Sequence, residues 1–317
     1  MKKFNYLFMF TLFSLVFFNS ALFLSWAAER ESYEEKFEKT VELTKEGTVI
    51  LSNVSGDIEV RTWDKAEVKI DALKVSRASS LSRAKENAER VIIEITKEGN
   101  ILKIESDYPK TFFKSVNVTV HYHLTIPDEA SIKVKSVSGE VRLFEIGGSL
   151  RADSVSGEIE VREANKGVEC KSVSGDIVVE EVVGDSLLGT VSGDIKVKGI
   201  KGSLDFETVS GDVVLSGVSD ASILKGKTVS GSILFEGEIN PQGRYTLSSH
   251  SGDIELHLPP TSAFNLEAST FSGSIESEFE ILTLGRIREK GIQGAVNGGG
   301  AEVSLKTFSG DISLRKK

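Results

Sequence analysis

Residues 202–215 read Gly-Ser-Leu-Asp-Phe-Glu-Thr-Val-Ser-Gly-Asp-Val-Val-Leu, and this stretch decides the fold. Leu204 and Phe206 alternate with Asp205 and Glu207, as a strand with one buried face requires. Val209, Gly211, Val213 and Leu215 alternate as well, but on odd numbers. The inward set therefore slips by one residue near Thr208–Val209, which predicts a bend or bulge where the chain turns a corner. On this reading Val209 and Gly211 both lie on the inward track, the glycine at a point where a side chain does not fit.

The same corner returns along the chain. Val-Ser-Gly-Asp stands at 54–57, 173–176, 191–194 and 209–212, and Val-Ser-Gly-Glu at 137–140 and 155–158. Looser copies are Val-Ser-Gly-Ser at 229–232, His-Ser-Gly-Asp at 250–253, Phe-Ser-Gly-Ser at 271–274 and Phe-Ser-Gly-Asp at 308–311. The glycines at 139, 157, 175, 193 and 211 keep a period of 18, which lengthens to 20 and 21 at 231, 252 and 273. A fixed period of this size marks a solenoid, in which each repeat buries its apolar face only against its neighbours. An 18-residue coil has a contour of roughly 60 Å, enough for two strands and two corners, and stacked coils rise about 4.8 Å each by parallel pairing.

Vertical columns follow from the period. Val141, Ile159, Ile177, Ile195 and Val213 form one, and Leu143, Val161, Val179, Val197 and Leu215 the next. Ile146, Ala164, Val182, Ile200 and Val218 form a third at the opposite corner. The single cysteine, Cys170, falls in the inward column of Ala152, Leu188 and Phe206, so it reads as a buried core thiol rather than a reactive one. The fold class expected is all-β: one parallel β-solenoid of 18–21-residue coils with an irregular, β-rich N-terminal cap holding one short helix.

Residues 1–28 stand apart. Lys2 and Lys3 precede a long apolar run, and Ser25-Trp26-Ala27 offers small residues where a signal peptidase cuts, so 1–28 reads as a signal peptide cleaved after Ala27 or Ala28. The run is long enough for the alternative of an uncleaved membrane anchor, and no cysteine lies near the site to carry a lipid. Cleavage would remove two lysines and no acid, moving the net charge from −9 to −11. That balance argues against nucleic acid and against adsorption to anionic lipid. Residues 29–135 read as the cap and first coils, with strands at 48–51, 58–62, 68–75, 92–96, 101–105 and 116–126 and a helix at 80–91 begun by Ser80 or Ser82. Residues 136–317 carry the regular repeats, with 278–300 looping out before a last coil at 301–314.

The combination resembles the DUF4097 family, also called the toastrack domain, of bacterial envelope and secreted proteins. The resemblance covers roughly 40–317. It rests on Thr48-Val-Ile-Leu51 leading into Asn53-Val-Ser-Gly-Asp-Ile-Glu-Val60 and Trp63-Asp64, on the serial Val-Ser-Gly-Asp/Glu phrases, and on the Gly-rich stretch before Lys306-Thr-Phe-Ser-Gly-Asp-Ile312. The family implies a β-solenoid, and a role in adhesion or in sensing and scaffolding at the envelope. It supplies no catalytic residues to carry over.

Candidate sites are few. Asp57, Asp176, Asp194 and Asp212, with Glu140 and Glu158, follow glycine and point outward. Stacking would set Glu140, Glu158, Asp176, Asp194 and Asp212 in a ladder about 4.8 Å apart. Carboxylates that close repel, so a divalent cation bound between them is one reading. The Gly-Gly-x-Gly-x-Asp motif of calcium β-rolls is absent, and capping of backbone amides at the corner is the simpler reading. Serines 138, 156, 174, 192 and 210 read as makers of turn hydrogen bonds. His121 and His123 flank Tyr122 on the polar face of a strand; the spacing suits two ligands of one metal, but no third ligand stands nearby and an exposed pair is the plainer reading. His250 and His257 show no partner in sequence. Threonines 190, 208 and 228 stack without forming a Thr-x-Thr array of the ice-binding kind.

The reading is thus an exported, non-enzymatic module for adhesion or scaffolding, with no cofactor and no small-molecule substrate. Its expected partner is a protein or glycan at the cell envelope. The first alternative is the extracytoplasmic sensor of an envelope-stress system, and the second a polysaccharide-active β-helix enzyme, which needs clustered carboxylates rather than acids recurring at the repeat period.

Overall fold

The structure is a computed structural model that describes residues 30–109, 117–283 and 291–317. The signal-peptide reading of 1–28 lies outside them. The described residues fold into two long sheets, of thirteen and fourteen strands, with one continuous apolar core. Each coil places one strand in each sheet. Register follows the period: Ile159 pairs beside Ile177, Ile177 beside Ile195 and Ile195 beside Val213. All three sequence columns are buried.

The parity slip occurs twice per coil. In one coil the buried positions are 141, 143, 146, 148, 150, 152 and 154, then 159. Steps of two along a strand keep a side chain on one face, so the odd steps, three and five residues long, are the corners. The long step contains the Ser-Gly phrase. There Thr208 is buried and Val209, Ser210 and Asp212 are exposed, so Val209 lies outside the solenoid and not on the inward track. The short step has Glu145, Glu163 and Glu181 in left-handed backbone, with φ of 60°, 59° and 54°, and Gly199 and Gly217 continue that column.

Glycine at the Ser-Gly corner faces along the stack. A Cβ on Gly211 would lie 2.0 Å from the Gly193 carbonyl oxygen, and one on Gly193 would lie 2.3 Å from that of Gly175. The contact is backbone on backbone, so nothing can move aside.

Both ends depart from sequence order. Thr48–Ser55 lies between Ile101–Asp107 and Ser131–Ser138, and Ile58–Trp63 between Val118–Pro127 and Val141–Ile146. At the other end Ala301–Ser309 inserts between Arg244–Ser251 and Phe264–Ser272. The last coil in sequence is therefore the penultimate one in space. Residues 278–300 do more than loop out: Gly291–Val296 pairs antiparallel with Phe264–Ser272 and covers the edge that the exchange leaves open. The strand Glu31–Glu42, not expected from sequence, pairs antiparallel with Glu67–Ala78 and closes the opposite edge of the other sheet. Its apolar residues Tyr33, Phe37 and Val41 recur every four positions, a helical spacing, and its charges suit an edge strand that must not recruit another. The helix forms at Leu81–Glu89, capped by Ser80, whose Oγ accepts from the Arg83 amide at 3.4 Å.

Candidate functional site: the repeat corner and the histidine cleft

At the corner, aspartate and glutamate behave differently. Asp176 Oδ1 accepts the backbone N–H of Asp194 at 2.9 Å, Asp194 Oδ1 that of Asp212 at 2.9 Å, and Asp212 Oδ1 that of Ser232 at 2.8 Å. Asp57 does the same for Glu140 at 3.0 Å, and Asp253 for Asp311 at 2.8 Å. Each carboxylate thus caps the amide at the same position of the next coil. Asp311 accepts both the amide and the hydroxyl of Ser274, at 2.7 and 3.0 Å, and these bonds hold its carboxyl below the usual carboxylate range. A group lowered in this way stabilises the fold above the carboxylate range of the unfolded chain, and the contribution is lost as pH falls through the lowered value. Glu140, one methylene longer, pairs with Arg142 instead. Among the described residues no three His, Cys, Asp or Glu side chains are arranged to hold a metal ion.

The corner hydroxyls that bond are not those of the Ser-Gly serine. Thr190 Oγ1 donates to the Gly175 carbonyl at 3.1 Å, and Thr208 Oγ1 to that of Gly193 at 3.3 Å. Ser249, Thr270 and Thr307 make the equivalent bond. These residues stand two positions before the phrase serine, on the buried side, and tie their coils to the glycine of a neighbour, while the hydroxyls of Ser136, Ser154, Ser172 and Thr228 at the same position make no hydrogen bond. Serines 138, 156, 174, 192 and 210 face solvent.

The histidine pair sits on the outer face of the thirteen-stranded sheet, in an open cleft of about 560 Å³. Parallel pairing sets Glu59 beside His123, and the antiparallel neighbour sets Asp71 on its other side. His121 Nδ1 accepts the Asp57 amide at 3.2 Å and lies 3.3 Å from its carboxylate. His123 Nδ1 lies 3.5 Å from Glu59 Oε1. Lys36, Lys69 and Arg142 line the same cleft. The result is a mixed-charge surface in which neighbouring strands partner each histidine. The other two histidines are partnered too: His257 Nε2 meets Glu255 Oε1 at 2.7 Å, and His250 stacks on Phe308 with ring centroids 5.0 Å apart.

Cys170 lies in its expected column, between Ala152 and Leu188, and burial pushes its thiol up to about 12. A thiol so placed is a packing group.

The sequence reading missed the exposed row formed by the first residue of every phrase. Val137, Val155, Val173, Val191 and Val209 are each over 40% exposed, and Phe308 and Phe271 more so. The available signal was the substitution of His250, Phe271 and Phe308 at a position otherwise held by valine. An imidazole in a sealed apolar column would need a hydrogen-bond partner inside the core.

No curated protein matches the chain. Among solved structures, a "putative adhesin" of Bacteroides fragilis NCTC 9343 is 14% identical, with 88% of this chain and 97% of that one covered and a TM-score of 0.43. A "putative adhesin" of Parabacteroides distasonis ATCC 8503 is 12% identical, with 89% and 97% covered and a TM-score of 0.46. A "putative lipid binding protein" of the same organism is 14% identical, with 88% and 96% covered and a TM-score of 0.30. Each is a distant likeness, and these names belong to those proteins. The family match is decisive: over residues 49–315, which take in every Ser-Gly corner, the chain belongs to the Toastrack DUF4097 family.

Proposed function

We propose that this protein is a non-enzymatic module, exported to the cell envelope or beyond it, that acts in adhesion or as a scaffold by holding a protein or glycan partner on its outer faces. The observation that carries the reading is the use of the corner groups. Aspartates and threonines, the residues best suited to chemistry, bond from coil to coil and maintain the stack. A reactive centre gathers a few groups at one point, whereas here the acids are spread one per coil along the axis. What they maintain is a long, rigid, repeating surface, the kind that extended partners use on other solenoids. The charged n-region and apolar run of residues 1–28 support export.

The test is retention of envelope material on the immobilised protein. Surface polymer or an envelope protein is expected to be retained, with no reducing sugar or unsaturated product released from polysaccharide. Release of product would overturn the non-enzymatic reading. A membrane regulator as the retained species would move the function from adhesion to sensing.

A further inference from the structure

The exposed row at the phrase position is continuous from one end of the solenoid to the other. Strand registers, with the backbone bonds from Ser174 N to Val155 O and from Ser192 N to Val173 O, place Val54 beside Val137, then Val155, Val173, Val191, Val209, Val229, His250, Phe308 and Phe271 in spatial order. Valine exposures run from 38% to 47%, and Phe308 and Phe271 are 48% and 59% exposed. At the C-terminal end the side chains form a stack of rings: His250 on Phe308 at 5.0 Å and Phe308 on Phe271 at 4.7 Å, with planes within 12° and 6° of parallel. Ten positions at the ~4.8 Å strand spacing make a ridge roughly 43 Å long. At about 70 Å² each, its nine apolar side chains present on the order of 600 Å², at the upper end of what monomers commonly expose, and the flanking residues bring the face toward the ~800 Å² each partner gives a stable interface.

We infer that this ridge is the contact between two copies of the chain, related by a two-fold axis parallel to the solenoid axis. Three observations select that occupant. The area approaches that of a stable dimer. The ridge repeats at strand spacing, and a second copy offers the same spacing along its whole length, so every step of one ridge meets a step of the other. The flanks differ in charge. On one side runs the carboxylate ladder, including Asp57, Asp176, Asp194, Asp212, Asp253 and Asp311. On the other, two residues before the ridge, stand Lys135, Lys171, Lys227 and Lys306, with Asp153 and Glu207 among them. A two-fold axis parallel to the solenoid sets Lys135, Lys171 and Lys306 of each copy against Glu140, Asp176 and Asp311 of the other, with acid meeting acid only at the Asp153 and Glu207 steps. A perpendicular axis would instead set Glu140 against Asp311, Glu158 against Asp253 and Asp194 against Asp212, with Lys135 against Lys306 and Lys171 against Lys227 on the other flank, and like charges across an interface oppose association.

In this arrangement each ridge residue meets its own counterpart, and cysteine cross-linking in the whole chain reads that directly. Val137→Cys, Val209→Cys and Phe308→Cys, one at a time, are each expected to form a disulfide-linked dimer on mild oxidation; the native Cys170 is buried and stays silent. Val183→Cys, exposed at the opposite corner, is expected to stay monomeric. Linkage at Val209→Cys alone, with Val137→Cys linking only to Phe308→Cys, would overturn the parallel arrangement. No linkage at the three ridge positions, or equal linkage at Val183→Cys, would overturn the ridge contact. Sedimentation gives an independent readout. The wild-type protein is expected to sediment as a dimer at tens of micromolar, and Val209→Asp with Phe308→Asp to weaken association about tenfold or more while the circular dichroism of the folded solenoid is retained. A monomeric wild type, or a double variant that still dimerises as tightly, would overturn the proposal.

Discussion

Each coil turns twice, and its two corners solve one geometric problem by different means. Both must change the parity of the inward face so that alternation can resume in the other sheet. At the Ser-Gly corner successive turns touch backbone to backbone: a Cβ on Gly211 would meet a carbonyl oxygen at 2.0 Å. At the opposite corner the change is made by one residue in left-handed backbone, and there is room. A Cβ on Gly199 would find its nearest neighbour at 3.6 Å, and Glu145, Glu163 and Glu181 occupy the same position with full side chains. A closed corner dictates its residue and leaves a periodic mark in the sequence. An open corner only prefers one, at a cost of about 1–2 kcal/mol for a non-glycine residue, and leaves almost no mark.

The largest test concerns the face that both corners set. Ile177 is enclosed between Ile159 and Ile195, so Ile177→Asp buries an unpaired charge and is expected to cost about 3–5 kcal/mol. Val178, its half-buried neighbour on the outer face between Glu160 and Lys196, is expected to accept Asp within about 0.5 kcal/mol. Equal melting temperatures for the two variants would break the register. The next test sets corner against corner. Gly211→Ala is expected to cost about 3 kcal/mol through the carbonyl contact, and Gly199→Ala about 1 kcal/mol through backbone strain alone. Chemical denaturation that ranked them the other way would show that contact does not separate the corners.

Smaller effects sharpen the picture. Asp194→Ala removes the acceptor for the Asp212 amide and is expected to cost about 1 kcal/mol, while Asp194→Asn retains an acceptor oxygen and costs less. Calcium is expected to leave the melting temperature of the wild type and of both variants unchanged; a shift of several degrees abolished by Asp194→Asn would make the ladder a metal site. At the open corner, Glu181→Gly is expected to raise stability by about 0.5 kcal/mol, relief of the left-handed strain outweighing the greater entropy of glycine in the unfolded chain. A loss of stability there would mean that the glutamate side chain makes a contact worth more than the strain.

Much of the solenoid could be read before any coordinates. The period of 18, the three apolar columns, the buried place of Cys170 and the helix begun at Ser80 follow from alternation and spacing, which depend on near neighbours in the chain. Less of the candidate site could. The alternation of Val209 with Val213 suggested one inward track, yet the corner between them takes five residues from one buried position to the next, and an odd step reverses the face. Counting by twos cannot detect a corner of unknown length. The strand Glu31–Glu42 escaped for a related reason: its partner Glu67–Ala78 supplies the order that its own charged, four-spaced pattern does not.

Sequence by itself determined that this chain is a stack of 18–21-residue β-coils with glycine at one corner and acid beside it, because each coil must satisfy the same neighbour above and below. Only the tertiary structure decided which coils are neighbours at the ends, where strands 301–309 and 48–55 enter the stack out of order to gain a parallel partner on both sides. It also decided that the valine of each phrase faces water and that the aspartate reaches the next coil's amide where glutamate does not. Those outcomes turn on ångström-scale distances between residues eighteen or more apart, and the order of residues along the chain does not contain them.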